Sequence, residues 1–336
     1  MKKKVTMTEI AQELGVSRSL VSYALRDRYG VGEDMRKKII AKAVEMGYYK
    51  TQHATVKMKS IIAVIIGEEF IGEKSFFDRI IKGVEYHAVS KKYIPKIVPM
   101  KKEHDVSEIM TEIANLRPQG VLVIRQFDKE LAQEFSKLNF PTVFIDLVDP
   151  ISGCFEVRVN NFGNMFELTE NLINKGFRNF VFLGDICWAL SFNERYNGFI
   201  RACRNHDIKC RSIVGKSQNS NPFDEKTLEK FIQENNDYVI VCASDGIAIS
   251  TYKIIKDANK RIPNDFSVVG FDDISDAKEV DPPLTTMHIP RFEMGRIAFG
   301  LLYDQIKNLN EHTDSSRVVC LNAYYVERKS VKSINS

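Results

Sequence analysis

The chain has 336 residues, 44% of them hydrophobic, with 48 Lys and Arg against 44 Asp and Glu for a net charge of +4. That length supports a large core split into about two or three domains, and no apolar run approaches the roughly 20 residues of a membrane span. MKKKVTMTEI leads into a charged amphipathic segment rather than a secretion signal, so the expected location is the cytoplasm. The six cysteines (Cys154, Cys187, Cys203, Cys210, Cys242, Cys320) contain no CxxC pair and read as reduced core thiols, not as disulfides or a zinc site.

The charge is unevenly placed. Residues 1–60 carry 13 Lys and Arg against 6 Asp and Glu, net +7, whereas residues 61–336 carry 35 against 38, net −3. A basic headpiece on a mildly acidic body is the footprint of a nucleic-acid-binding module joined to something else. Ile10, Leu14, Val16, Val21, Leu25, Ile39 and Ile40 give that headpiece a core, which a merely solvated tail would lack.

In chain order, Thr6-Met7-Thr8-Glu9 has the form of a capping box and predicts a first helix over 7–14, with Ile10, Ala11 and Leu14 at helical spacing. Gly15 can end it, Val16 plugs the turn, and Ser17 can cap a second helix whose buried side is Leu20, Val21, Ala24 and Leu25. This is a helix-turn-helix. GVGEDMRKKIIAKAVEMGYY adds a third helix over 33–46, stopped by Gly47. A helix held from behind, with free side chains near its N-terminus, can enter a DNA major groove. Arg18, Ser19 and Tyr23 are expected to read base edges, and Ser17, Ser22, Lys37 and Lys38 to hold phosphates, with Thr6 at the first cap completing the DNA-facing set.

Beyond the headpiece, short β-rich apolar runs recur at 61–66, 121–124, 142–145, 180–183, 239–242 and 267–271, separated by helix-length amphipathic segments. Such alternation predicts parallel sheets covered by helices. About 270 residues are too many for one doubly wound unit, so two are expected, with a crossing near 157–161.

VTMTEIAQELGVSRSLVSYAL followed by YGVGEDMRKKIIAKAVEMGYY resembles the headpiece of the lactose-repressor (LacI/GalR) family of bacterial transcription regulators. INKGFRNFVFLG, ERYNGFIRAC, IPNDFSVVGFDDI, DPPLTTMHIPRFEMGRIA and YYVERKS resemble that family's landmarks in the same order, over nearly the whole chain. The resemblance implies an all-α helix-turn-helix headpiece (1–50), a hinge (51–60), and an α/β periplasmic-binding-protein-like core (61–330) of two doubly wound parallel-sheet subdomains, crossing near 157–161 and 284–290. Residues 331–336 are left as a tail. It also implies a repressor that binds a palindromic double-stranded DNA operator and is gated by a small molecule, a sugar or sugar derivative, in a cleft between the subdomains.

Effector residues carry over position by position. Arg195 in ERYNGF sits where the family places an arginine that holds ligand oxygens with both arms of its fork. Asp272, after the strand SVVGF and next to Phe271, matches an acidic residue that accepts ligand hydrogen bonds; a structural Arg195–Asp272 salt bridge is the competing reading. Asp273 reads as a turn cap. Phe76 and Phe77 match aromatic positions flanking the ligand, against plain helix packing. Asn160-Asn161 stands where the family often has Asp-Asn, and Ser244-Asp245 replaces Asn-Asp, so a carboxylate and an amide are missing from the expected contacts. Trp188, the only tryptophan, and Ser191 lie between the strand ending at Gly184 and the helix carrying Arg195, where an indole can stack on a sugar or base or simply cover the loop.

Two more features separate this chain from its relatives. The connector YYKTQHATVKMKS has no leucine for a minor-groove wedge; Val56 or Met58 can substitute, or the segment is a plain linker. After YYVERKS only VKSIN and Ser336 remain, too short for a leucine-heptad tetramer tail, so a homodimer paired through the body is expected. Nothing points to an enzyme, a cofactor or a metal: the six histidines fall outside nucleophile or ligand spacing, and no Gly-x-Ser-x-Gly or phosphate loop occurs. The alternative to a ligand-gated regulator is a DNA-binding regulator whose body answers to a protein partner through a degenerate pocket.

Overall fold

The computed structural model describes residues 5–25, 31–46, 48, 60–72, 76–101, 106–124, 134–135, 140–147, 153–187, 189–215, 223–308 and 316–333. Val56, Met58 and Trp188 lie outside that set, as does the side chain of Lys37.

In the headpiece, α1 (Met7–Leu14) opens with the capping box: Thr6 Oγ1 accepts the Glu9 N–H at 3.2 Å and the Thr6 N–H donates to Glu9 Oε2 at 2.8 Å. Gly15 takes a φ of 63°, in the left-handed region that ends a helix most easily with glycine, and the Val16 N–H returns to the Ala11 carbonyl at 2.9 Å. The Ser17 hydroxyl accepts the Leu20 N–H at 3.1 Å and starts α2 (Arg18–Leu25). Helices of eight residues do not persist alone in water. They are held by a shared cluster of Ile10, Ala11, Val21, Ala24 and Leu25 with Ile39 and Ala43 from α3 (Glu33–Glu45). Buried Arg36 adds a tie from α3 to the carbonyl of Ala24, at 3.3 Å.

The chain divides into two compact units. One comprises residues up to 147, 151–158 and 290–319; the other 148–150, 159–289 and 320–336. Besides the passages after Arg158 and Ile289 there is a third after Val319, for which the sequence reading had no signal. Lys332, which that reading left in a tail, is tied to the second unit by its N–H to Ser267 Oγ at 3.0 Å.

The six-stranded sheet runs, edge to edge, β2 (Tyr93–Met100), β1 (Ser60–Gly67), β3 (Val121–Ile124), β4 (Thr142–Ile145), β5 (Phe155–Val159) and β11 (Val318–Leu321). The pairs from β2 to β5 are parallel. β1 reads SIIAVIIG and is buried from Ile62 to Gly67, as expected of a parallel strand covered on both faces. β2 escaped the sequence reading because Pro95 and Pro99 break its β pattern; as the edge strand, pairing only with β1, it can carry prolines that an interior strand could not. Helices α4 (Asp78–Ser90) and α5 (Val106–Leu116) connect the first strands, and α4 packs on the later α10 (Arg291–Lys307).

The second unit carries a four-stranded, wholly parallel sheet in the order β7 (Arg211–Ile213), β6 (Phe180–Leu183), β8 (Tyr238–Cys242), β9 (Phe266–Val269). Its helices are α6 (Asn161–Asn174), α7 (Leu190–Asn205), α8 (Glu225–Glu234) and α9 (Asp245–Asp257). β10 (Thr286–His288) pairs antiparallel with β12 (Tyr324–Val326). Since β7 and β8 lie on opposite sides of β6, the chain reverses its winding between β6 and β8, the place where open α/β sheets leave a crevice beyond their carboxyl ends.

Candidate functional sites

On the headpiece, the back of α2 is the buried Val21, Ala24 and Leu25, which leaves Ser17, Arg18 and Ser19 exposed at its start. Tyr23 is 42% exposed, one of the few large hydrophobic side chains so placed, and Ser22 is half-buried. Lys38 is exposed on α3. The Thr6 and Ser17 hydroxyls are both engaged as helix caps, so any phosphate contact they make adds to that role. A short helix with one side fixed in the core and Arg, Ser and Tyr free on the other can meet base edges and phosphates together.

In the second unit, four segments beyond strand ends converge on Arg195. This side chain is buried, on the second turn of α7 after β6. Its Nε donates to Asn161 Oδ1 at 2.9 Å, where α6 begins after β5, and its Nη1 donates to the Ala243 carbonyl at 2.6 Å, just after β8. Nη1 also stands 3.3 Å from Asp272 Oδ1, beyond β9, and the guanidinium lies 3.9 Å from the centre of the buried Phe271 ring. Asn161 is itself held by its Nδ2, which donates to the Val159 carbonyl and to Glu194 Oε2, each at 3.2 Å.

The backbone under Asp272 is strained. Asp272 has φ 123° and Asp273 φ 54°, two consecutive non-glycine residues on the left-handed side; aspartate tolerates the second value far better than the first. The distortion is held from both sides. The Asp272 N–H donates to the Met287 carbonyl at 2.9 Å, and Asp273 receives His288 Nδ1 at 2.7 Å and Arg328 Nη2 at 2.5 Å. Burial opposes charge on Asp273, but the His288 hydrogen bond and the Arg328 charge outweigh it and hold the carboxyl well below the usual carboxylate range. Asp273 thus clamps β10 and β12. The following turn is held by Asp245, whose Oδ2 accepts the Ile274 N–H at 2.9 Å.

Asp245 opens α9 with no exposed surface, and its Oδ1 accepts the Thr286 hydroxyl at 2.5 Å. Burial, then the charge of Asp272, pushes its carboxyl up to about 7. The residue before it, Ser244, caps the helix by accepting the Ile247 N–H at 3.4 Å. Asn160 is a cap too, accepting the Gly163 N–H at 3.0 Å while its Nδ2 donates to Asn322 at 3.0 Å.

The expected effector residues therefore fall into separate groups. Arg195, Phe271 and Asp272 come together; Asn160 and Ser244 cap neighbouring helices; Ser191 is buried in the first turn of α7. Phe76 and Phe77 belong to the first unit, packed edge to face at 5.1 Å, with Phe77 also edge-on to Phe70 at 5.4 Å and the Arg291 guanidinium 5.4 Å from the Phe76 ring. The reading of the sequence passed over Asn161 and Glu194 as partners of Arg195 and over Asp185, buried right after β6 with its carboxylate on the Cys187 N–H at 2.8 Å. The signal for Asp185 was present: a lone acid directly after an apolar strand.

Residues 6–51 match the family model described as bacterial regulatory proteins, lacI family, and residues 169–331 match the periplasmic binding protein-like domain. The chain is 28% identical to the probable HTH-type transcriptional regulator EndR of Paenibacillus polymyxa, covering 98% of this chain and 99% of that protein. Its fold is shared with the CelR–cellobiose complex (TM-score 0.68, 21% identity, 97% and 100% of the two chains). It is shared as well with the lac repressor dimer bound to operator and the anti-inducer ONPF (TM-score 0.66, 20% identity, 98% and 99%). With a helix-turn-helix headpiece, paired parallel-sheet units and full-length relatives that are transcription regulators, this chain belongs to the LacI family of bacterial transcription regulators.

Proposed function

We propose that the protein is a repressor that binds a two-fold symmetric DNA operator as a homodimer and is gated by a small sugar or sugar derivative at the carboxyl edge of the second sheet. The observation that carries the DNA reading is α2: Ser17, Arg18, Ser19 and Tyr23 stand free on a capped helix whose opposite side is locked into the headpiece core. Two such helices related by a dimer axis select half-sites about one helical turn apart. Recovery of sequences from a random duplex pool by the full-length protein tests this. The expected product is a palindrome with that spacing, and an enriched asymmetric or unspaced sequence would overturn it.

The effector reading is supported by Arg195, Asn161 and Asp272 meeting at the winding reversal, and by the strained backbone that presents Asp272. A sugar is supported by the cellobiose in the CelR fold relative. One observation favours the second reading, a body that answers to a protein partner: Asn160 and Ser244 are engaged as helix caps, and Arg195 is already well supplied with acceptors. Thermal melts with cellobiose, ribose and purines separate the two, since a ligand at 100 times its Kd adds about 2.7 kcal/mol.

A further inference from the structure

The C-terminal end of α7 places two cysteines against each other. The helix ends in a Schellman motif: Asp207 takes φ 55°, its N–H donates to the Arg204 carbonyl at 3.2 Å, and the Ile208 N–H donates to the Cys203 carbonyl at 2.9 Å. That reversal turns the chain back past the last helical turn, so Cys210, immediately before β7, meets Cys203, and the Cys203 thiol donates a hydrogen bond to the Cys210 sulfur. Cys203 has no exposed surface, whereas Cys210 is half-buried and reachable from solvent. The other four cysteines differ in kind, Cys154 and Cys242 being buried and Cys187 and Cys320 exposed.

We propose that Cys203 and Cys210 form a dithiol that hydroperoxides oxidise reversibly to an intramolecular disulfide, tying the end of α7 to the start of β7. The difference in exposure sets the order of events. The Cys210 thiolate attacks one peroxide oxygen, the O–O bond breaks and hydroxide (or alkoxide) leaves, giving a sulfenic acid on Cys210. The Cys203 sulfur then attacks the Cys210 sulfur, its proton leaves with the sulfenic oxygen as water, and the S–S bond forms, so two thiols are oxidised and one peroxide is reduced. The hydrogen bond from Cys203 also draws the Cys210 thiol down to about 7, against the opposing effect of its own burial, so a large share is thiolate at neutral pH. The helix so fastened is the one that carries Arg195.

The test treats reduced full-length protein with hydrogen peroxide at pH 7, alkylates the remaining thiols and maps tryptic peptides; cleavage after Arg204 and Lys209 separates the two cysteines. A linked pair containing Cys203 and Cys210, two hydrogens lighter than the free peptides and released by dithiothreitol, is the expected result. Cys210→Ser should abolish the link, and Cys203→Ala should leave a Cys210 sulfenic acid that dimedone traps. Full alkylation of both thiols under conditions that oxidise Cys187 and Cys320, or a link from Cys210 to any other cysteine, would overturn the proposal.

Discussion

The Arg195 guanidinium lies 3.9 Å from the centre of the Phe271 ring, while its Nη1 stands 3.3 Å from the next residue's carboxylate, Asp272. One dipeptide thus supplies an aromatic face and a countercharge to the same cation. Both Arg195 and Asp272 are largely buried, so removing the cation strands a carboxylate. Arg195→Ala should cost about 3–5 kcal/mol of stability, in addition to any loss of effector affinity. Arg195→Lys should recover only part, because an ammonium cannot bond Asn161 and Ala243 in the directions that the planar fork does. Urea denaturation decides this. A variant as stable as the parent would mean that the cluster is not held together by Arg195.

On the headpiece, exposed Arg18 and exposed Lys38 should separate by their response to sequence. Arg18→Ala should lose ~1–3 kcal/mol on the selected operator and little on random duplex. Lys38→Ala should weaken both alike and lower the slope of log affinity against log salt by about one. Fluorescence anisotropy at several salt concentrations measures both. Equal losses on both duplexes for Arg18→Ala would move Arg18 from base reading to phosphate contact.

Local rules made the headpiece and the central strands legible. Thr6-x-x-Glu9, Gly15 and Ser17 define their own helix ends, and β3, β4 and β6 are apolar runs with nothing to interrupt them. What was not legible depends on partners distant in sequence. β2 hides behind Pro95 and Pro99 until its edge position is known. The third passage between units follows from β11 joining β5, a pairing across the chain rather than along it. At the effector edge, family position pointed to Arg195 and Asp272, but their mutual salt bridge and the capping work of Asn160 and Ser244 depend on atoms brought together by the sheet.

Gly83 and Gly295 mark where α4 and α10 approach most closely. A Cβ on Gly83 would sit 2.0 Å from the Phe292 carbonyl oxygen, and one on Gly295 would sit 1.9 Å from that of Ile80. The obstacle in each case is backbone, which cannot turn aside, so the helices must part. Either Gly→Ala change should cost at least ~1–3 kcal/mol, as overpacking does. Because both relieve the same crossing, the double variant should lose clearly less than the sum of the singles. Denaturant midpoints of the four proteins provide the cycle, and strict additivity would rule out a shared crossing.

Asp245 makes a prediction about pH. Its carboxyl titrates at about 7 when folded because it is buried beside the Asp272 charge, against about 4 in an unfolded chain. A raised carboxyl favours the folded state fully below the unfolded value, and that contribution fades as pH climbs through the window from about 4 to about 7, because the unfolded chain gives up its proton first. Each pKa unit corresponds to about 1.4 kcal/mol, so the loss between pH 5 and pH 8 should be on the order of a few kcal/mol. Asp245→Asn removes this titration while keeping one oxygen to accept the Thr286 hydroxyl. It also turns an amide toward the Ile274 N–H that Oδ2 now accepts, a penalty present at every pH. The informative quantity is therefore the change with pH of the difference between variant and parent, in which Asp273, His288 and the other titrating groups largely cancel. Urea midpoints at pH 5 and pH 8 should show the variant gaining on the parent as pH rises. Parallel pH profiles for the two proteins would mean that the Asp245 carboxyl keeps one charge state across this range, and that the strained turn over Asp272 is not coupled to its proton.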